Sequence, residues 1–292
     1  MTAQIHPDTE IGRVHLKVSD LERSLQFYQE VVGFQVLRQD GKTAQLAANG
    51  ESTPLVVLEE IENAQVQPKR RTTGLYHYAI LVPTRKDLGL SLRSLIKSGI
   101  HIGQADHLVS EALYIADPDN NGIEIYVDRP RETWKYNGQG QIQMATDPID
   151  WQGLLDEAGE EPWNGLQKGT KLGHMHLHVN DIPSARQFYC GLLGFGEMML
   201  MADSALFISA GGYHHHIGLN TWAGVGAPPA PADATGLRYY TIVVPDETEL
   251  KAILSRLEDA SVYAVQQDGG WLVEDFAKNH ILLVERGKSD LK

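Results

Sequence analysis

The chain has 292 residues, with 38 acidic against 25 basic side chains and a formal net charge of −13, a balance that argues against nucleic acid or an anionic membrane as partner because both need a basic footprint. Its length exceeds one average core and predicts two domains, and 42% hydrophobic with 22% charged residues describes an ordinary globular protein rather than a disordered tract. No apolar run approaches the roughly 18 residues of a spanning helix, residues 1–12 lack the regions of a signal peptide, and the single cysteine, Cys190, leaves no internal disulfide and fits a reducing cytoplasm.

The first predicted strand, residues 11–18, puts Val14, Leu16 and Val18 on one face and His15 on the other. Asp20 suits a helix N-cap, Leu21, Leu25, Tyr28 and Val32 share one helical face, and Gly33 suits the stop. Three strand-like runs carry this unit to residue 62. After an irregular stretch, residues 63–73, the same order returns: a strand containing His77, a helix over residues 86–98 with Leu88, Leu92, Leu95 and Ile96, a stop at Gly99, and further strands to residue 128. The last of these follows Asp117-Pro118-Asp119-Asn120-Asn121-Gly122, a sharp polar turn. Ile123, Ile125 and Val127 then point one way, and Glu124 and Tyr126 the other. A buried carboxylate needs a partner or a metal.

Beyond a long stretch rich in Asp, Glu, Gly and Trp, the pattern begins again. Gly173-His174-Met175-His176-Leu177-His178-Val179-Asn180-Asp181 answers Gly12-Arg13-Val14-His15-Leu16-Lys17-Val18-Ser19-Asp20 at an offset of 161, and residues 236–245 answer residues 74–83 at an offset of 162. The chain is therefore a duplication of a two-part half and holds four βαβββ modules. His15 and His77 occupy matching places in the first strands of modules one and two. If those two modules pair about a local two-fold axis, both imidazoles enter one cleft with Glu124. Two His and one carboxylate with open positions is the arrangement of non-haem Fe(II) oxygenases.

Paired βαβββ modules, the pattern Val14-His15-Leu16-Lys17-Val18-Ser19-Asp20-Leu21 followed by Phe27-Tyr28 and Gly33-Phe34, and the closing Asp117-Pro118-Asp119-Asn120-Asn121-Gly122-Ile123-Glu124 resemble the vicinal oxygen chelate superfamily. That family includes glyoxalase I, the fosfomycin and bleomycin resistance proteins and the extradiol dioxygenases. The four-module length is similar to the two-domain catechol 2,3-dioxygenases, and so is the placing of His107 and of Tyr114 ten residues before Glu124. The resemblance implies an α+β fold of four βαβββ modules paired into two glyoxalase-like domains with a cleft in each: a metal-binding domain over residues 1–130 (modules 11–62 and 74–128), a linker over 131–171, and a second domain over 172–292 without an intact triad. It also implies Fe(II), alternatively Mn(II), held by His15, His77 and Glu124, with His107 and Tyr114 as catalytic residues. The partners would be a small aromatic diol and O2, in a cytoplasmic enzyme that forms a homo-oligomer and serves aromatic hydrocarbon catabolism.

Two departures from the family pattern stand out. Tyr239 and Leu282 stand where His77 and Glu124 do, so the C-terminal half offers His176 without the rest of a triad. The acid/base histidine that extradiol enzymes keep on the fourth strand of the first module of the metal domain has no counterpart in Pro54-Leu55-Val56-Val57-Leu58-Glu59-Glu60, whereas His215, between His214 and His216, aligns with it in the other half. His176 and His215 are thus expected to form a relic pocket or a second metal site. Two alternatives use the same fold: an isomerase or thiol transferase with Glu59 as a fourth ligand, and a metal-free binder of aromatic molecules lined by Trp134, Tyr136, Trp151 and Trp163.

Overall fold

The computed structural model describes residues 4–68, 71–138 and 141–288. Module one comprises β1 (Glu10–Val18), α1 (Leu21–Phe27), β2 (Gln35–Asp40), β3 (Thr43–Ala47) and β4 (Val56–Glu60). Module two comprises β5 (Gly74–Leu81), α2 (Arg85–Ser98), β6 (Gly103–Asp106), β7 (Ser110–Ala116) and β8 (Gly122–Asp128). The described residues of the expected linker include a short 3-10 turn, Arg131–Thr133, and an α-helix, α3 (Trp151–Ala158). Module three follows as β9 (Lys171–His178), α4 (Ile182–Arg186), β10 (Gly196–Met201), β11 (Ala205–Ser209) and β12 (Ile217–Asn220). Module four is β13 (Gly236–Val244), α5 (Glu247–Asp259), β14 (Val265–Gln267), β15 (Gly270–Glu274) and β16 (His280–Glu285).

Local chemistry explains the elements. Thr84 and Asp87 close a capping box at the start of α2, Gly99 ends it with φ of 72°, and Leu88, Leu92 and Leu95 are its buried stripe. The helix begun by Asp20 narrows the expectation: after Phe27 it widens into one π turn that stops at Gly33 with φ of 97°. The amides of Gly33 and Phe34 both donate to the Tyr28 carbonyl at 2.9 Å. Module three repeats the device at Tyr189 and Gly194. In both copies the tyrosine hydroxyl donates to a buried Asp at the tight turn: Tyr28 to Asp117 at 3.0 Å and Tyr189 to Asp275 at 2.8 Å. The linker helix lies close on α2; a Cβ at Gly89 would stand 2.1 Å from the Leu154 carbonyl oxygen.

The four βαβββ modules form two eight-stranded sheets that share one large core cluster, with smaller clusters beside it. Their pairing differs from the expectation. One sheet runs β14-β15-β16-β13-β1-β4-β3-β2 and joins module four to module one. The other runs β10-β11-β12-β9-β5-β8-β7-β6 and joins module three to module two. Each half, 1–130 and 172–292, thus gives one module to each sheet, and neither half closes a cleft by itself. The contact strands decide this: β1 lies antiparallel to β13, and β5 to β9.

Candidate metal centre

Strand register lines up the chemistry. β8 runs parallel to β5 with Glu124 beside Ala79, and β9 runs antiparallel with His174 opposite the same Ala79. Glu124 and His174 therefore flank a small residue on one face. His77, two residues back along β5, faces His176. Close backbone approach is required here, because a Cβ at Gly122 would stand 2.1 Å from the Tyr76 carbonyl oxygen and 3.0 Å from the His77 Cβ.

His77, Glu124 and His174 are all buried, and their ligand atoms lie within 4.8 Å of one another. The Nε2 atoms of His77 and His174 stand 3.0 and 3.1 Å from the same Glu124 oxygen, Oε2. The His77 contact lacks hydrogen-bond alignment, so this buried nitrogen is near the carboxylate without being satisfied by it. Burial raises the Glu124 pKa, yet the two imidazoles outweigh burial and hold it well below the usual carboxylate range. Burial lowers the pKa of His174. A buried carboxylate facing two imidazoles, one with an unsatisfied nitrogen, fits a divalent cation well, since an unpaired buried carboxylate is costly.

Two other expected residues join this cleft. Tyr114 lies directly across from Glu124 in the β7–β8 ladder. Its hydroxyl meets His107 Nε2 at 2.7 Å, while His107 Nδ1 meets the Ala145 carbonyl oxygen at 2.7 Å. That carbonyl can only accept, so Nδ1 donates to it, and in the neutral His107 ring Nε2 accepts from Tyr114. Burial, followed by the Glu124 charge, raises the Tyr114 pKa well above its usual value. A cavity of about 610 Å3 reaches both His77 and Tyr114.

His15 does not meet Glu124. Its Nε2 lies 3.0 Å from Glu59, whose carboxylate is also held by Arg238 at 2.5 and 2.7 Å, in the sheet of modules one and four. The repeat matches His15 to His176, but the residue opposite Ala79 is His174, two positions earlier, and its counterpart in module one is Arg13. Arg13, Tyr239 and Leu282 thus replace the three ligand types in the other sheet. His176 and His215 are not remote from the metal cluster either: the His176 ring is 4.9 Å from that of His77, and the His215 ring 4.1 Å from that of His174. Burial holds both histidines well below their usual pKa. The linker aromatics do not gather around the cleft as expected. Trp134 stacks by Tyr213 and His214, Trp151 opens α3, Trp163 approaches Gly33, and Tyr136 is exposed. Instead Trp222 and Tyr76 bracket His176, each 5.3 and 5.0 Å from its ring.

The profile of the Glyoxalase/Bleomycin resistance protein/Dioxygenase superfamily matches residues 10–125. A catechol-2,3-dioxygenase of Bacillus subtilis (strain 168) is 51% identical over 272 residues, 93% of this chain and 95% of that protein. A metallothiol transferase of Lysinibacillus sphaericus is 26% identical over 139 residues, 46% of this chain and 93% of that protein. Among solved structures, one from Bacillus subtilis subsp. subtilis str. 168 matches with a TM-score of 0.67 at 12% identity, covering 98% of this chain and 87% of that one. Glyoxalase I from Zea mays gives 0.55 at 16% identity over 95% and 92%; both likenesses show the fold. Extended identity to the Bacillus protein, joined to the βαβββ architecture and the match over the first two modules, establishes that this chain belongs to the Glyoxalase/Bleomycin resistance protein/Dioxygenase superfamily.

Proposed function

We propose that the protein is an extradiol ring-cleaving dioxygenase that adds O2 across a catechol-type diol. The observation that carries this is a buried cluster of two His and one carboxylate, with the His215 ring 4.1 Å from that of His174 and the Tyr114–His107 pair across from Glu124, in a chain 51% identical to a protein named catechol-2,3-dioxygenase. His77, His174 and Glu124 would hold Fe(II), alternatively Mn(II). When bound, the ion would draw both diol oxygens and O2 to one place and acidify the diol hydroxyls. The residues around it have separable tasks. Neutral His215 accepts a proton from the diol and returns it to the product side. Tyr114, itself donating to His107, orients a substrate oxygen, and Tyr76, Trp222 and Phe207 form the apolar wall for the ring. The isomerase or thiol-transferase reading needs Glu59 as a fourth ligand, and Glu59 is committed to His15 and Arg238 in the other sheet.

A cytoplasmic setting in aromatic catabolism suits this chemistry and the half-buried thiol of Cys190, which burial pushes up to about 12. The polar, solvent-facing edge strands β2 and β14 leave unpaired backbone where a second copy can dock. The test is anaerobic loading with Fe(II) or Mn(II), then catechol and air. Yellow ring-cleavage product from the wild type and none from Glu124→Ala is expected. Absence of product from metal-loaded wild type across a panel of diols would refute the reading.

A further inference from the structure

His214 and Asp128 have no task in the reaction as described, yet they form a defined chain that ends on His215. Asp128 closes β8 on the face of Glu124 and Tyr126, and its Oδ1 lies 2.9 Å from His214 Nε2. The Tyr213 hydroxyl donates to the same carboxylate at 2.8 Å. His214 Nδ1 lies 2.9 Å from His215 Nδ1. His214 is fully buried, with Trp134 against its ring, so no water is needed to complete the chain.

Hydrogen-bond direction follows from the carboxylate. An ionised Asp can only accept, so His214 Nε2 carries a proton, and in the neutral His214 ring Nδ1 is then a lone pair. Two ring nitrogens in contact need one proton between them, which must then belong to His215 Nδ1. The remaining nitrogen of His215, Nε2, is left as a lone pair. We infer that Asp128 and His214 are positioning residues that fix the tautomer of His215, so that Nε2 is the atom that takes the substrate proton. The inference rests on the ring-cleavage reading for the task of His215, but the tautomer itself does not.

The informative variant is Asp128→Asn. An amide can donate to His214 Nε2, which moves the His214 proton to Nδ1 and the His215 proton to Nε2, occupying the base. Replacing an orienting Asp by Asn in a hydrolase triad costs about 10⁴-fold in kcat by the same tautomer reversal. Here Asp128→Asn should lower kcat by about 10²- to 10⁴-fold, with the KM for catechol within about threefold and the metal content unchanged. Asp128→Glu should recover most of the loss. A second measurement does not depend on turnover: nitrogen NMR of histidine-labelled wild-type protein should show His215 protonated at Nδ1 and bare at Nε2, with the two exchanged in Asp128→Asn. Wild-type protein that cleaves catechol while Asp128→Asn keeps full kcat would overturn the inference, as would a proton found on His215 Nε2 in the wild type. A wild type inactive toward every diol would sink the ring-cleavage reading and leave the NMR result to decide the tautomer.

Discussion

Gly122→Ala probes how tightly the backbone holds the ligand strands. The added methyl would stand 2.1 Å from the Tyr76 carbonyl oxygen and 3.0 Å from the His77 Cβ. Ordinary contact begins near 3.4 Å, so β8 and β5 must part by about 1.3 Å, the difference between 3.4 and 2.1. Both obstacles lie on the strand that carries His77, and Gly122 is two residues from Glu124. The displacement therefore falls between two proposed ligands rather than on the surface. Overpacking of this kind costs about 1–3 kcal/mol of stability, and a misplacement of about 1 Å costs about 100-fold in turnover. Metal titration of the folded variant should show weakened affinity, alongside a lowered melting temperature. Gly191→Ala is the control, since a Cβ there meets nothing within 4 Å. Wild-type metal affinity in Gly122→Ala would refute the claim that β5–β8 contact sets the spacing of His77 and Glu124.

Other perturbations address the supports of the site. Asp117, buried beneath the turn into β8, has its pKa raised to about 6 by burial. A raised folded-state value means its contribution is fully present below the unfolded value near 3.8 and is lost as pH rises through 6. Denaturant titrations should therefore show the wild type losing up to about 3 kcal/mol relative to Asp117→Asn between pH 4 and 7, and a constant gap would contradict the assignment. Tyr28→Phe removes one of the hydrogen bonds to Asp117 and should cost about 1 kcal/mol in the same titrations, leaving metal binding intact. His15→Ala should lose little more than its contact with Glu59 and leave ring cleavage within about twofold, because a part-exposed pair is worth about 1 kcal/mol or less.

Much of this was legible in the residues. The two repeats gave the four modules, Asp20, Gly33 and Gly99 gave helix ends, and the turn before Ile123 put Glu124 on the inner face. Of the residues named from the sequence, His77 lies 3.0 Å from Glu124, Tyr114 stands across from it in the ladder, and His107 meets Tyr114. Module pairing was not legible, because four similar modules offer similar first strands and nothing local says which lies beside which. The missed signal was the paired absence and presence of histidine. Module one lacks one in β4, whereas His215 precedes β12, so the module completing the cleft of module two had to be the third. The choice of His174 over His176 was hidden for another reason. Alternation puts both on the same face, and only the bulged register against β5 sets which lies opposite Ala79.

The most direct test is the metal content of purified protein carrying His174→Ala beside His15→Ala, after loading with Fe(II) without oxygen. A centre built across modules two and three predicts that His174→Ala loses the metal while His15→Ala retains it at the wild-type stoichiometry. Loss of metal in His15→Ala with retention in His174→Ala would contradict that centre and return the site to modules one and two.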